Sequence, residues 1–242
     1  MDQRYAACRA LYDLAFPGET EKFTEALFAL CYPRYLRVIE VQGEIASMLF
    51  SIPYPVQMQN GRCDARYLYA IATHPAHRGK GYARELIARE ATEHPVFLRP
   101  MQPSLFDFYA RADLKPFSPI RIERGAAASE SVDAVLLSAR EYSAARERLA
   151  PLPCCCMSEE FLSLAQITGG TVSIPDRVLA LYDRAEDLVI FKEWWGDADF
   201  APRLAAFLGA SHYELRLPDP NGTPFGMMSG LPAQTLFLAA MD

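Results

Sequence analysis

Apolar positions in the first thirty residues recur with a helical period. Tyr5, Cys8, Tyr12 and Ala15 share one stripe that Pro17-Gly18 ends, and Phe23, Leu27 and Leu30 share another that Pro33 ends. Helices are predicted over 3–15 and about 20–31. The period then drops to two. Residues 35–41 and 44–52 read as the arms of a β-hairpin turning at Gln42-Gly43, with Ile45, Ser47, Leu49 and Ser51 alternating along the second arm. Asn60-Gly61 marks a further turn. Residues 66–73 are mostly apolar, as in a strand buried in the middle of a sheet.

A helix over about 81–93 turns Ala83, Leu86 and Ile87 inward, and residues 96–101 read as the next strand. Ser104-Leu105-Phe106-Asp107 reads as a capping box opening a helix to about 112, with Leu105, Phe108 and Tyr109 on its buried side. A strand near 117–124 follows. Small residues from Gly125 to Ser131 mark a boundary, giving domains over 1–130 and 131–242. Beyond it, Ser158 caps a helix to about 167, and 177–182 with 187–194 read as a strand pair. Asp199 and Pro202 open a helix that Gly209 stops, with Phe200, Leu204, Phe207 and Leu208 as its packing stripe. Strands near 212–217, 225–229 and 235–240 end the chain. The fold class is therefore α/β: a mixed β-sheet flanked by helices, with a second, smaller α/β unit. Hairpin, strand, helix and strand recur in both halves without a repeat at the level of residues.

Charge separates the halves. Residues 1–121 hold 15 basic and 13 acidic side chains, and residues 122–242 hold 9 and 17, so an anion is better received by the first half and a cation by the second. The net charge of -6 argues against a nucleic-acid partner. No apolar run reaches the ~20 residues of a membrane span. Met1-Asp2-Gln3-Arg4-Tyr5 leads into no apolar signal segment, so a cytoplasmic location is expected. Cys8, Cys31, Cys63 and the run Cys154-Cys155-Cys156 form no disulfide framework and read as reduced thiols. His74-x-x-His77 has no second ligand pair, so no metal is expected.

The chemistry concentrates between Ile71 and Ile87. A buried strand runs into a turn holding Gly79 and Gly81, which opens directly into an amphipathic helix. Such a turn leaves first-turn N–H groups unpaired at the positive end of the helix dipole, and the glycines let an anion approach the backbone. It is a ready phosphate cradle. Arg84 stands where a dinucleotide-binding fingerprint needs a third glycine, and the Gly-Lys-Ser/Thr of a P-loop is missing.

The run Arg78-Gly79-Lys80-Gly81-Tyr82-Ala83 resembles the Arg/Gln-x-x-Gly-x-Gly/Ala pyrophosphate loop of the GNAT N-acetyltransferase superfamily. Ile71-Ala72-Thr73-His74-Pro75 is similar to that family's central strand leaving the sheet, and Phe108-Tyr109 with Leu114 resembles its Tyr-x-x-x-Gly-Phe signature. Asp113 and Leu114 replace the usual Gly-Phe, which leaves the turn after that helix open to change. The resemblance covers about half of the chain. It implies a GNAT-like acyl-CoA acyltransferase fold and an enzyme that moves acetyl from acetyl-CoA to an amine of a small molecule or peptide. The alternative is a non-catalytic acyl-CoA sensor or interaction protein.

In that reading the backbone of Ile71, Ala72 and Thr73 pairs with the pantetheine arm between the strands 66–73 and 96–101. Gly79, Lys80, Gly81, Tyr82 and Ala83 take the pyrophosphate through their amides, with Arg78 and Lys80 adding charge. Tyr109 is the catalytic acid for the departing thiolate. For the base, Tyr69, His74 and Glu40 lie on suitable strands, each with a structural explanation beside the catalytic one. Glu193 meets a cationic acceptor if the two halves face each other across a cleft, and of Trp194-Trp195, which point to opposite sides of a strand end, one lines the acceptor pocket and the other is core. The second half, with Trp194-Trp195-Gly196-Asp197-Ala198-Asp199 at the equivalent turn, reads as a degenerate repeat that does not bind coenzyme A. The protein is expected to be a monomer or a homodimer.

Overall fold

The computed structural model describes residues 3–238 and 241. In chain order the first half runs α1 (Gln3–Ala15), α2 (Glu21–Cys31), β1 (Leu36–Val41), β2 (Glu44–Pro53), β3 (Val56–Met58), β4 (Gly61–Cys63), β5 (Arg66–Thr73), a 3₁₀ turn (Pro75–His77), α3 (Tyr82–Glu93), β6 (Val96–Leu98) and α4 (Ser104–Ala110). The second half runs β7 (Lys115–Ala126), β8 (Val135–Leu137), α5 (Ala139–Leu149), β9 (Cys154–Cys155), α6 (Glu159–Ala165), β10 (Gly169–Ile174), β11 (Val178–Ala185), β12 (Leu188–Gly196), a 3₁₀ turn (Ala198–Phe200), α7 (Ala201–Phe207), β13 (His212–Pro218) and β14 (Thr223–Ser229).

These elements form two compact units. The first holds the residues up to Val56, Asn60–Pro116 and Gly226–Ala233; the second holds Gln57–Gln59, Phe117–Phe225 and the residues from Gln234 on. The divide falls within β7, between Pro116 and Phe117, ahead of the small-residue stretch on which the sequence reading placed its boundary at 130. The reason lies in strand pairing. Residues 120–126 of β7 pair antiparallel with β13 in the second unit, and Met227–Ser229 of β14 pair antiparallel with β6 in the first. The first unit thus takes in a strand from near the end of the sequence, while β7 pairs onward within the second unit.

In the first unit β1, β2 and β5 are antiparallel neighbours, and β6 lies parallel to β5. The hairpin between β1 and β2 closes on Gln42 (φ 53°) and Gly43 (φ 84°), the two positive φ values that a two-residue hairpin turn requires. One face of this sheet carries an aromatic core in which Phe28 meets Tyr12 and Phe50 edge to face at 5.4 Å each. The other carries Leu49, Leu68, Val96 and Leu98 against Leu86 and Ile87 of α3 and Tyr109 of α4. Cover on both faces explains why β5 is apolar nearly throughout. Glu90, buried on α3, accepts from Arg37 Nε of β1 (2.7 Å) and from the Ser51 hydroxyl of β2, which ties the helix to two strands.

In the second unit β8, β10, β11 and β12 are successive antiparallel neighbours and β13 lies parallel to β12. The unit's Trp194, Phe191, Leu204, Ala205 and Leu215 form one core, against which Phe200, Phe207 and Leu208 pack as the stripe predicts.

Four local expectations change. Ser104 is not an N-cap but the first residue of α4: the cap is Pro103, with backbone bonds from Leu105 N to Gln102 O (3.0 Å) and from Phe106 N to Pro103 O (3.2 Å). The strand at 96–101 stops at Leu98, where Pro100 and the turn after it end the pairing. The cap near α7 is Asp197, whose Oδ1 accepts from Asp199 N, and it caps the 3₁₀ turn before the helix. Of the strand expected at 235–240, residues 239 and 240 lie outside the described residues, and Leu236 makes a single parallel bridge to Cys154.

Candidate active site

The parallel pairing of β5 and β6 is short. Arg66 faces Val96 and Tyr67 faces Phe97, and there the ladder ends while β5 continues to Thr73 beside β2. The two strands therefore part beyond Tyr67 and Phe97. Within the free stretch β5 bulges: Phe50 pairs with Tyr69 and Met48 with Ala72, so Leu49 opposes both Ala70 and Ile71. Ala70 adopts φ 52°, a left-handed conformation that costs a residue with a β-carbon of order 1 kcal/mol. The extra residue changes the alternation, and Leu68 and Ile71 both reach the core beneath α3.

Past Thr73 the chain makes the Pro75–His77 turn and enters α3 through two left-handed glycines, Gly79 (φ 77°) and Gly81 (φ 84°). Gly81 is the N-cap, and no side chain caps the helix. The amides of the first turn are thus left to face outward. A methyl group placed on Gly79 meets nothing within 4 Å, so the space over this backbone is open. The sequence signals of an anion cradle coincide here in geometry.

The charged side chains around the cradle are partly engaged. Arg78 Nε donates to Thr73 O (3.3 Å), and Lys80 Nζ lies 3.4 Å from His77 Nδ1. His77 is buried, with Nε2 3.8 Å from a Glu44 carboxylate oxygen and its ring 6.1 Å from that of Tyr82. The sequence reading had treated this residue only as a metal candidate, whereas its contacts are with Glu44, Lys80 and Tyr82. Arg84 is a second residue that reading missed: its Nη2 lies 3.9 Å from a β-carbon built on Gly81. Its position, three residues beyond the cap, was the available signal, since such residues share a helix face. Along β5, Ala72 O accepts from Ser47 Oγ (2.9 Å). Each such carbonyl retains a second lone pair.

Tyr109 sits on α4 with its ring in the core that holds Leu68, Leu98 and Met227. Burial pushes its hydroxyl up to about 12, so it is protonated at neutral pH. The buried polar atoms that lack a partner among the described residues are the Tyr12 hydroxyl, Trp195 Nε1 and Thr235 Oγ1, and the Tyr109 hydroxyl is not one of them. The turn after α4 survives the loss of glycine: Asp113 itself takes φ 60°.

The base candidates disperse. Glu40 pairs with Arg4 at 3.1 Å on the outer strand β1. His74 Nδ1 accepts from Ala76 N inside the turn (3.4 Å). Tyr69 is raised well above the ordinary phenol range, first by burial and then by the charges of Tyr12 and Glu19, which keeps it protonated.

Two expectations for the second unit are corrected. Glu193 is fully buried and is bound by Arg146 through Nε (2.7 Å) and Nη2 (2.6 Å) and by the Tyr142 hydroxyl, so it meets no acceptor. A carboxylate in that position needs its counter-ion inside the protein. Trp194 belongs to the core beneath α7, while Trp195 lies buried beneath the Arg146 guanidinium at 5.8 Å, so neither lines an open pocket. All six cysteines are free. Among the described residues no group of three or more His, Cys, Asp or Glu is placed to hold a metal, and no helix is long and apolar enough to cross a membrane.

Residues 2–113 match the family model of the acetyltransferase (GNAT) domain. No curated protein matches the chain in sequence. Among solved structures, a GCN5-related N-acetyltransferase from Kribbella flavida superposes with a TM-score of 0.68 at 12% identity, over 94% of this chain and 70% of that one. A GCN5-related N-acetyltransferase from Anabaena variabilis gives the same TM-score, identity and shares of both chains. At such identity the likeness is one of fold.

Proposed function

The first half of the chain, through residues 2–113, belongs to the GNAT acetyltransferase family, and on that premise we propose that the protein transfers acetyl from acetyl-CoA to a primary amine of a small molecule or peptide. The observation that carries this reading is the opening of β5 from β6 beyond Tyr67 and Phe97 directly below the cap-free, doubly glycine entry to α3. An extended thioester arm and a diphosphate fit these two features in that order along the chain. Ile71, Ala72 and Thr73 offer backbone groups to the arm. Gly79, Lys80, Gly81, Tyr82 and Ala83 offer amides to the diphosphate, and Arg78, Lys80 and Arg84 supply positive charge.

Tyr109 offers a hydroxyl that is fully protonated under physiological conditions. A complete transfer to a thiolate of ordinary basicity (~8.5) runs uphill by roughly 3–4 pKa units. Tyr109 therefore acts chiefly by hydrogen-bonding the departing sulfur, while the proton lost by the amine completes the thiol. A free alkylamine has a pKa of ~10.4 and must shed a proton before attack. Since Glu40 and His74 are committed elsewhere, that proton leaves through water. Holding the amine against the thioester supplies much of the remaining acceleration. The acceptor is cationic, in keeping with the acidic second half, and the reaction belongs to the cytoplasm.

The second unit is read as a degenerate copy of the first. α5, α6, β10, β11, β12, a 3₁₀ turn, α7 and the parallel strand β13 follow the order of α1, α2, β1, β2, β5, a 3₁₀ turn, α3 and the parallel strand β6. Asp197 and Asp199 occupy the turn equivalent to the glycine loop, and their charge repels a diphosphate. One coenzyme per chain is expected.

The dispersal of the base candidates favours a second reading, a sensor that binds acyl-CoA without turnover. Free-thiol release from acetyl-CoA with a panel of amines tests the first reading. In an enzyme Tyr109→Phe keeps coenzyme affinity and lowers turnover by at least tenfold. A sensor gives no turnover with any amine, and the variant changes nothing.

A further inference from the structure

The second unit holds a buried constellation that acetyl transfer does not use. Arg146 on α5 spends Nε and Nη2 on the Glu193 carboxylate, and Nη2 also reaches Cys155 O at 2.7 Å. The same guanidinium touches two sulfurs: Nη2 donates to Cys154 Sγ at 3.0 Å, and Nη1 to Cys156 Sγ at 3.3 Å. Both groups of the ion pair are at least nine-tenths buried, with side-chain exposures of 7% for Arg146 and 0% for Glu193.

The three cysteines differ in access. Cys154 and Cys155 are buried, while Cys156 is half-buried and is the first residue beyond β9. Side chains alternate along a strand, so Cys154 and Cys156 share a face and Cys155 takes the other. The segment before Cys156 is pinned, since Leu236 N donates to Pro153 O (2.9 Å) and Cys155 N to Leu236 O (2.8 Å). Among these backbone bonds none holds Cys156. Both sulfurs sit on the one Arg146 guanidinium, and because a disulfide needs β-carbons ~3.5–4.5 Å apart, closer than the ~6.6 Å of two residues in an extended strand, the bond requires Cys156 to fold back toward Cys154 where the chain leaves β9.

We propose that Cys156 and Cys154 form a peroxide-oxidisable thiol pair gathered on the one guanidinium of Arg146. The Cys156 thiolate attacks one oxygen of hydrogen peroxide. The O–O bond breaks, hydroxide leaves, and a sulfenic acid stands on Cys156. Cys154 sulfur then attacks that sulfur; the S–O bond breaks, and the departing hydroxide takes the Cys154 proton. Two thiols have lost two electrons and two protons, and the peroxide has become two waters. Burial pushes the Cys154 thiol up to about 12, so it serves as the resolving partner and not as the first nucleophile. Cys8 and Cys31 are fully buried in the first unit.

The test uses the full chain, treated with hydrogen peroxide and digested. The peptide spanning residues 154–156 should lose the mass of two hydrogens and regain it on reduction. Cys155→Ser should behave as the parent does. Cys154→Ser should lose the bond and leave Cys156 open to tagging by dimedone, a sulfenic-acid reagent, and Cys156→Ser should show neither product. Three results overturn the proposal: an unchanged parent peptide, a bond that persists in Cys154→Ser, or dimedone labelling in Cys156→Ser at the level seen in Cys154→Ser. The parent measurement needs no variant, so a substitution that fails to fold cannot hide the answer.

Discussion

Leu114 N donates to the carbonyl of Tyr109 at 3.2 Å, and the chain reaches that geometry because Asp113 between them adopts φ 60°. Ala112 N donates to the same carbonyl at 2.9 Å, so the end of α4 closes tightly on the residue proposed to face the departing thiolate. A left-handed residue with a β-carbon is strained, and aspartate tolerates the strain better than most. Asp113→Gly should therefore stay within about 0.5 kcal/mol of the parent, while the β-branched Asp113→Val should lose about 1–2 kcal/mol. Denaturant unfolding measures both. Equal losses for the two variants would show that side-chain contacts, not backbone conformation, set the requirement at this position.

Gly79 supports a sharper separation of effects. It has φ 77°, and a methyl group there meets nothing within 4 Å, so Gly79→Ala creates strain without a clash. The folded state can relieve that strain only by re-aiming the loop. Stability should fall by about 1 kcal/mol. Coenzyme A affinity should fall by at least tenfold, equivalent to ~1.4 kcal/mol, because amides that converge on an anion lose their alignment. Titration calorimetry on the folded variant reads the affinity. Unchanged binding would remove this turn from the coenzyme site.

The phenol of Tyr109 makes a statement about alkaline stability. Its folded value, about 12, lies above the unfolded value of ~10, so the folded state holds the proton more tightly. The stabilisation is complete below pH 10 and is lost as the pH rises from about 10 to 12. Two units correspond to at most roughly 2–3 kcal/mol. Tyr109→Phe should therefore flatten the stability curve over this alkaline window and leave its neutral-to-acid part parallel to the parent's. The same variant measured for turnover separates the two roles of one side chain. An unaltered alkaline slope in the variant would assign the loss to other buried tyrosines such as Tyr69.

Much of the first unit was legible because its signals are local. The stripe of Tyr5, Cys8 and Tyr12, the Gln42-Gly43 turn and the two glycines before α3 each act within one or two turns of chain, and the structure has α1, the hairpin and α3 where those signals put them. What the sequence concealed depends on distance. Nothing within residues 115–126 says that they pair with 212–218, and nothing near Met227 says that it faces Leu98. α5 went unseen for a different reason. Its Ser138-x-x-Glu141 capping box was readable, but its buried side is Ala139, Tyr142 and Arg146. An arginine on the inward face looks like a solvated one until its partner, 47 residues away, is known.

That partnership yields a test of how the second unit is held together. Glu193 lies on β12 and Arg146 on α5, and the Tyr142 hydroxyl donates to the same carboxylate. Removing one charge strands the other away from water, at a typical cost of about 3–5 kcal/mol, whereas removing both spares the desolvation of each. Glu193→Leu alone and Arg146→Met alone should each destabilise the protein by that amount. The double variant should recover about a third of the summed loss, a coupling of about 2–3 kcal/mol in a double-mutant cycle. Tyr142→Phe removes only a hydrogen bond to a charged acceptor and should cost about 1.5–3 kcal/mol. Guanidinium unfolding of the four proteins gives the coupling directly. If the single losses simply add, the two side chains are independent, and β12 is secured to α5 by apolar packing alone.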